Sequence, residues 1–374
     1  MRSMILETKG IVLYYSVFDE KTGSVVRAVE SIDFSDDQDY DLFINVKRNR
    51  QLFNKIFPNR SQKICSPSPE LVDIAITNKC DFGCRYCYQD SKSGSPHGKK
   101  ELVETVLKGF DHVPYQIAIG GGEPTMHPDF VEILYKAKEL GTIPNYTTAG
   151  HKMTPEIFEA TNKVCGGVAI TYHAFKGIDW FKQHYLSLKN NLGCQINVHL
   201  IADNDVALNL NNLINLQKEV GKINLVLLAY YPDVGRANLN SLMTKTIYNK
   251  ILPGVIQEAI KSGMQISFSE GLLPYFMSRP SIGIDTKLSS GSEGYYSCYV
   301  DSNGYMFNSS FNTDDQPNNK NVYELRSQKL WNDLRYHKNY YGSKCYNCLY
   351  YSRCSVVSDF HYLICAFADH NITK

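Results

Sequence analysis

Three closely spaced cysteines constrain this 374-residue chain more than any other feature. Cys80, Cys84 and Cys87 form a C-x3-C-x2-C loop, which directly follows an apolar run at residues 71–77 that predicts a buried strand. Thiolates normally hold all four irons of a 4Fe–4S cluster. A loop that offers only three thiolates leaves one iron with an open position. A substrate or cofactor can bind at such a position.

A second motif follows at residues 116–125. A short apolar run predicts another buried strand, and the sequence Gly-Gly-Gly-Glu-Pro at residues 120–124 comes directly after it. Glycines allow the backbone to approach a ligand closely. A glycine run alone is a weak signal, but its position downstream of the cysteine loop makes the combination specific.

Together the two motifs resemble the radical S-adenosylmethionine (SAM) superfamily. The resemblance implies that Cys80, Cys84 and Cys87 hold a 4Fe–4S cluster and that SAM binds the open iron through its amino and carboxylate groups. It further implies a SAM-binding role for six residues. Tyr86 is expected to contact the adenine of SAM, and Gly121, Gly122 and Glu123 its methionine amino group. Pro124 is expected to shape the turn, and Thr171 to contact the carboxylate or ribose of SAM.

The chemistry implied by the resemblance is one-electron reduction of SAM. The C5′–S bond breaks to give methionine and a 5′-deoxyadenosyl radical, which takes a hydrogen from an unactivated carbon. The cofactor performs this reaction, while the protein orients it and excludes competing reactions. An external one-electron donor such as flavodoxin or ferredoxin is therefore expected.

The order of elements predicts three segments. Residues 1–69 contain a predicted β-hairpin, with strands at 10–17 and 24–29, and a helical stretch at 40–56. Residues 70–284 alternate strands and helices in six units, which predicts an α/β fold with a parallel sheet. Eight units would be needed for a full TIM barrel, so the resemblance implies a partial (β/α)6 barrel with the chemistry at the carboxyl ends of its strands. Residues 285–374 form a cysteine-rich third segment.

The third segment carries a second cysteine group. Cys345, Cys348 and Cys354 form C-x2-C-x5-C, and Cys298 lies in a predicted hairpin with an Asn303-Gly304 turn. Spacing alone is equally compatible with a structural zinc site. The resemblance to SPASM and twitch extensions favours one auxiliary 4Fe–4S cluster on these four cysteines, with Cys365 as a possible replacement. A full SPASM pattern would have a cysteine where Ser309 stands.

Composition excludes several classes of protein. The net charge of +1 argues against a large nucleic-acid partner, and no stretch approaches the ~20 apolar residues of a membrane span. The N-terminus lacks the apolar core of a signal peptide, so we expect a cytoplasmic protein. Cys65, Cys165 and Cys194 stand alone and are expected to be small apolar fillers.

The leading functional hypothesis is a radical SAM enzyme that modifies a peptide or protein side chain, as many members with SPASM or twitch extensions do. One alternative is a dehydrogenase or modifying enzyme of a small molecule or nucleotide. The other is an iron–sulfur electron carrier, against which the glycine motif argues. Candidate proton-transfer groups near the predicted strand ends are His173, His199 and Glu270.

Overall fold

The computed structural model describes residues 2–8, 11–21, 23–27, 65–232, 234–272, 275–276, 279–284, 293–311, 313 and 319–336. The predicted helical stretch at 40–56 and the cysteines Cys345, Cys348, Cys354 and Cys365 lie outside these residues, as does the side chain of Glu270.

The strands, in chain order, are β1 (Arg2–Thr8), β2 (Ile11–Asp19), β3 (Ser24–Arg27), β4 (Leu71–Thr77), β5 (Gln116–Gly121), β6 (Ile143–Thr148), β7 (Gly167–Thr171), β8 (Gln195–Ala202), β9 (Asn224–Ala229), β10 (Gln265–Phe268), β11 (Ser297–Val300) and β12 (Met306–Phe307). The α-helices are α1 (Leu102–Lys108), α2 (Phe130–Glu139), α3 (Pro155–Val164), α4 (Ile178–Asn191), α5 (Val206–Val220), α6 (Leu252–Lys261) and α7 (Ser327–Tyr336).

The main sheet has the strand order β10-β9-β8-β7-β6-β5-β4-β11-β12. Strands β4 to β10 are parallel and follow one another in sequence, which confirms the predicted partial α/β barrel. The sheet extends beyond the six predicted strands. β10 joins one edge, and the predicted C-terminal hairpin joins the other, with β11 parallel to β4 and β12 antiparallel to β11.

The two faces of the sheet differ in character. Val72, Ile74 and Ile76 on β4 belong to the main hydrophobic core, which they share with the helices. Alternate residues, such as Asp73 and Ala75, therefore point to the opposite face, since side chains alternate along a strand. We call this second face, which the barrel encloses, the concave face.

Helix α3 shows how local sequence sets these elements. Thr154 is its N-cap and accepts a hydrogen bond from the Ile157 amide at 3.3 Å, and Pro155 occupies the first turn, as predicted. The buried residues Ile157, Ala160 and Val164 recur at helical spacing and pack against the sheet.

The N-terminal segment is a three-stranded antiparallel sheet in the order β1-β2-β3 rather than a two-stranded hairpin. Phe18 stacks on Tyr115 with 4.9 Å between ring centroids, and the Ser16 hydroxyl lies 2.9 Å from the Tyr115 hydroxyl. Arg2 donates to the Tyr115 carbonyl at 2.7 Å. Tyr115 immediately precedes β5, so this sheet docks at the amino ends of the barrel strands, away from the cysteine loop.

Helix α7 is fixed to the segment that precedes β4, at the amino ends of the barrel strands. Trp331 is fully buried and donates through Nε1 to the Ser66 carbonyl at 3.1 Å. Gln328 donates to the Pro67 carbonyl at 2.7 Å and accepts from the Ser68 hydroxyl at 2.6 Å. These bonds hold the segment that leads into β4. No helix among the described residues is long and apolar enough to cross a bilayer.

We expect Trp331→Ala to lower the free energy of unfolding of the metal-free protein by about 3–5 kcal/mol, because it opens a cavity and removes the bond to Ser66. Denaturant unfolding measures the loss. Leu208→Ala, at an exposed apolar position, is the control and should cost less than about 0.5 kcal/mol. Equal losses in the two variants would show that α7 contributes little to the stability of the barrel.

Candidate cluster and SAM site

The cysteine loop leaves the carboxyl end of β4 and folds back on itself. The Cys80 amide donates to the Lys92 carbonyl at 3.0 Å, and the Cys87 amide donates to the Cys84 carbonyl at 3.3 Å. The thiols of Cys80, Cys84 and Cys87 are half-buried and lie within electrostatic range of one another. Burial is the main cause that raises the pKa of Cys84 to about 12 and also raises that of Cys80. Cluster binding would therefore release protons from these thiols.

These three residues fit a 4Fe–4S cluster. All three thiols are free of disulfides and come from one loop at the mouth of the barrel. Within the described ranges no three cysteine, histidine or acidic side chains converge closely enough to hold a single metal ion. A polynuclear cluster instead takes one thiolate at each iron, so it needs thiols that are neighbours without sharing one point.

The glycine motif is joined directly to the base of this loop. The Gly122 amide donates to the Thr77 carbonyl at 2.7 Å, and the Glu123 amide donates to the Lys79 carbonyl at 2.9 Å. A Cβ at Gly121, where φ is +114°, would collide with the Thr77 carbonyl, and one at Gly122 would collide with that of Lys79. The close approach that these glycines permit is thus to the chain's own backbone.

Glu123 braces the turn that follows the glycines. Its Oε1 accepts hydrogen bonds from the hydroxyls of Thr125 at 2.5 Å and Thr148 at 2.7 Å, and its Oε2 accepts from the Ala149 amide at 2.8 Å. Pro124 is buried and begins a single 3₁₀ turn. These bonds fix β5 to the end of β6. Contact of Glu123 with the amino group of SAM stays a prediction.

Phe82 anchors the middle of the cysteine loop in a set of aromatic rings. It is buried, and its ring centroid lies 4.4 Å from that of His173 and 5.2 Å from that of Trp180. The neighbouring Asp81 accepts from His151 at 2.7 Å and Lys152 at 2.9 Å. Phe82 and Asp81 occupy x positions of the C-x3-C-x2-C motif, so their anchoring role could not be predicted from the motif.

His173 lies between the loop and the end of β7. Its Nδ1 is 3.5 Å from the Cys84 sulfur and 3.2 Å from the Tyr86 hydroxyl. Burial is the main cause that lowers the pKa of His173 to about 3, so its ring is neutral at physiological pH. Thr171, two residues earlier, is the last residue of β7. The structure therefore brings Tyr86, Thr171 and His173 to one side of the cluster loop, and their contacts with SAM stay predictions.

Asp203 is a residue at this site that the sequence interpretation missed. It follows the end of β8, is buried, and accepts from the Asp205 amide at 3.0 Å. Burial raises its pKa to about 6, and its charge interacts with Tyr86. An aspartate directly after a strand of a parallel sheet is a signal that would have found it, because ligand sites lie at carboxyl strand ends.

Arg236 clamps the loop from the segment after β9. Its side chain donates to the Cys84 carbonyl at 2.9 Å, to Asp90 at 3.1 Å and to the Ser91 carbonyl at 2.9 Å. Its backbone amide donates to the Cys87 carbonyl at 2.9 Å. The adjacent Gly235 packs so closely on the carbonyls of residues 87 and 88 that a Cβ would collide with them. The segment at 234–237 is thus a structural support of the cluster loop.

Cys298 is the one predicted auxiliary ligand among the described residues. It lies on β11, is buried, and belongs to the core between the sheet and the helices. Its ladder partner is Val72, so its thiol faces away from the concave face. Whether it binds a cluster stays a prediction. Cys165 and Cys194 are partly buried and pack against the main core, consistent with small apolar fillers.

Sequence and structure comparisons agree with this geometry. Residues 74–177 match the family model of the radical SAM superfamily. The chain is 34% identical over 104 residues to the PqqA peptide cyclase of Ruegeria pomeroyi, which is 26% of this chain and 27% of that protein. It is 32% identical over 91 residues to the GTP 3',8-cyclase of Actinobacillus pleuropneumoniae, or 22% and 27% respectively. The chain thus spans about a quarter of the length of these curated relatives.

Two solved structures share the fold. SuiB of Streptococcus suis bound to the precursor peptide SuiA has a TM-score of 0.62 at 16% identity, and covers 89% of this chain and 80% of its own. The structure of anSMEcpe with bound AdoMet and the Cp18Cys peptide has a TM-score of 0.56 at 15% identity. This alignment covers 76% of this chain and 88% of anSMEcpe.

Fold and site together define a partial α/β barrel that carries a three-cysteine cluster loop and a glycine turn at the carboxyl ends of adjacent strands. Residues 74–177, which match the family model, form the part of the chain that is similar to the radical SAM superfamily. The superfamily's cofactors are a 4Fe–4S cluster and SAM, and the three loop cysteines are the residues that would hold the cluster here.

We expect Arg236→Ala to loosen the cysteine loop, because the loss of three side-chain hydrogen bonds removes roughly 1.5–3 kcal/mol of restraint. Cys84 and Cys87 in the metal-free protein should then react with a maleimide about tenfold faster, as measured by mass spectrometry of alkylated peptides. The alkylation rate of Arg236→Lys should lie between those of the wild type and Arg236→Ala, since lysine keeps the charge but lacks the planar guanidinium group.

The matched control for this prediction is Arg85→Ala. Arg85 lies in the same loop, and its exposed side chain makes an ion pair with Asp205 at 3.4 Å. Such a pair contributes little, so alkylation should proceed at the wild-type rate. Wild-type alkylation rates in Arg236→Ala would show that the loop holds its shape without the clamp.

Proposed function

We propose that this protein is a radical SAM enzyme that modifies a peptide or protein side chain. The observation that carries the catalytic part is the joining of the cysteine loop to the glycine turn through Thr77 and Lys79. When bound, the reduced cluster supplies the electron that cleaves SAM to methionine and a 5′-deoxyadenosyl radical, which abstracts a hydrogen from the substrate. The chain's own residues hold the loop, enclose the site and orient the substrate.

A peptide substrate is supported by the solved structures that share the fold. Both SuiB with its precursor peptide and anSMEcpe with its bound peptide have folds that align with most of this chain. The sheet β1-β2-β3 adds a further argument, because in the described residues its outer strands each pair on one side only. An open sheet edge can bind an extended peptide as an added strand. This sheet would hold a leader segment remote from the reacting side chain.

A nucleotide or other small molecule is the second candidate. It is favoured by the local identity to GTP 3',8-cyclase, which is similar in extent to that with the peptide cyclase. Incubation of the reduced enzyme with SAM and GTP distinguishes the two. GTP consumption coupled to 5′-deoxyadenosine release would support a nucleotide substrate. Consumption of a short peptide encoded beside the gene would support the leading proposal.

We expect the anaerobically reconstituted protein, given SAM and dithionite, to release 5′-deoxyadenosine, measured by chromatography. Cys84→Ala should reduce release to background, because one iron loses its thiolate. Cys194→Ala, which changes a half-buried cysteine directly before β8, at the amino ends of the strands, is the matched control and should retain release. Absence of release from the wild type, with and without candidate substrates, would favour the electron-carrier alternative.

We further propose that Cys345, Cys348 and Cys354 hold one auxiliary 4Fe–4S cluster. The apolar surroundings of Cys298 favour Cys365 as the fourth ligand, in place of Cys298, which the resemblance favoured. Iron analysis should give about eight irons per chain for two clusters. Cys365→Ala should lower this to about four, while Cys298→Ala should leave about eight. About four irons with one zinc in the wild type would establish the zinc alternative.

A further inference from the structure

Asp73 is a carboxylate on the concave face of the barrel. It lies in the middle of β4, between Val72 and Ile74, which both belong to the helix-side core. Its ladder partners are Ala118 on β5 and Tyr299 on β11. Because residues on paired strands at the same register share a face, Asp73 and Tyr299 point together into the space that the barrel encloses.

This carboxylate has no compensating partner in the described part of the chain. No described side chain or amide donates a hydrogen bond to it, and no lysine, arginine or histidine is close enough to affect its ionisation. Burial alone raises the pKa of Asp73 to about 7. Part of its surface is nevertheless open to the enclosed space. A buried carboxylate without a partner is costly, and a cation delivered by a ligand would remove that cost.

One side-chain amide and two tyrosine hydroxyls lie around Asp73. The Gln89 amide donates to the Tyr88 hydroxyl at 3.1 Å and to the Tyr299 hydroxyl at 3.0 Å, while its Oε1 is buried without a partner. Burial and, to a smaller extent, the nearby Asp73 carboxylate raise the pKa of both Tyr88 and Tyr299. Gln89 Oε1 is therefore an unsatisfied acceptor beside Asp73, which an N–H group of a ligand would satisfy.

Aromatic rings extend the cluster towards the mouth of the barrel. Tyr88 packs on Phe311 with 4.8 Å between ring centroids, and Phe311 packs on Tyr231 at 4.1 Å. Rings of this kind pack against the aliphatic stem of a long side chain and attract its charged end. Tyr88 directly follows Cys87, so this surface adjoins the cluster loop.

We propose that Asp73, with Gln89, Tyr88 and Tyr299, forms a substrate subsite that binds an ammonium or guanidinium group of the substrate. The inference rests on the proposed function and specifies which substrates the concave face selects. A peptide with a basic residue beside the reacting position would place its cation on Asp73. The chain's own cluster loop would then border the neighbouring substrate residue.

Binding of small probes tests the subsite without knowledge of the natural substrate. The full chain, reconstituted and loaded with SAM, is titrated by calorimetry with N-acetyl-lysine methylamide, N-acetyl-arginine methylamide and the neutral N-acetyl-norleucine methylamide. We expect at least one cationic probe to bind about tenfold more tightly than the neutral one, because a charge-assisted hydrogen bond contributes a difference of about this size. Asp73→Asn should reduce this preference to less than about twofold.

Two variants complete the experiment. Asp73→Glu keeps the charge and should retain a preference for the cationic probe. Glu159→Gln removes a carboxylate that pairs with Lys163 on the exposed face of α3, and should bind all probes as the wild type does. If Asp73→Asn does not fold, the three probes on the wild type still decide the question.

Equal binding of charged and neutral probes by the wild type would overturn the subsite, as would a preference that survives in Asp73→Asn. Failure of the proposed function has a different signature. In that case the protein would release no 5′-deoxyadenosine on reduction, whichever probe it binds.

Discussion

The carbonyl oxygens of Thr77 and Lys79 are the contacts on which the rest of the site depends. Thr77 is the last residue of β4 and Lys79 directly precedes the first cysteine, and both accept amide hydrogen bonds from the turn after β5. Gly121 and Gly122 are necessary because any side chain there would occupy the space of those carbonyls. The cluster loop and the glycine turn therefore form one unit, and a displacement of either would move the other.

A loop without regular structure must be held by contacts from elsewhere, since ordering it costs about 1–2 kcal/mol per residue. Three separate parts of the barrel supply those contacts. The turn after β6 binds Asp81, the segment after β7 packs on Phe82, and the segment after β9 donates through Arg236. Each lies far along the chain from the loop. The cysteine geometry is thus a property of the whole barrel and not of the eight-residue motif.

The sequence predicted the parts of the fold that depend on local patterns. Apolar runs located the six parallel strands, and Thr154 with Pro155 located the start of α3. Strand β1 was missed, and β11 was not expected beside β4, because pairing between distant segments leaves no periodic signal. Likewise, the cysteine and glycine residues could be read from their spacing. The bonds of Glu123 to Thr148 and Ala149 and the role of Arg236 depend on contacts between residues more than twenty positions apart.

The family match covers only part of the proposed substrate subsite, because Tyr88 and Gln89 lie within the match while Asp73 and Tyr299 lie outside it. The family match ends at residue 177, and the identity to a peptide cyclase and to a nucleotide cyclase is similar over comparable lengths. That identity therefore does not distinguish a peptide substrate from a nucleotide substrate. Tyr299 on β11 and Phe311 lie beyond the match, and Asp73 immediately precedes it. Substrate choice then depends on the concave face, where the Asp73 carboxylate has no cation beside it among the described residues.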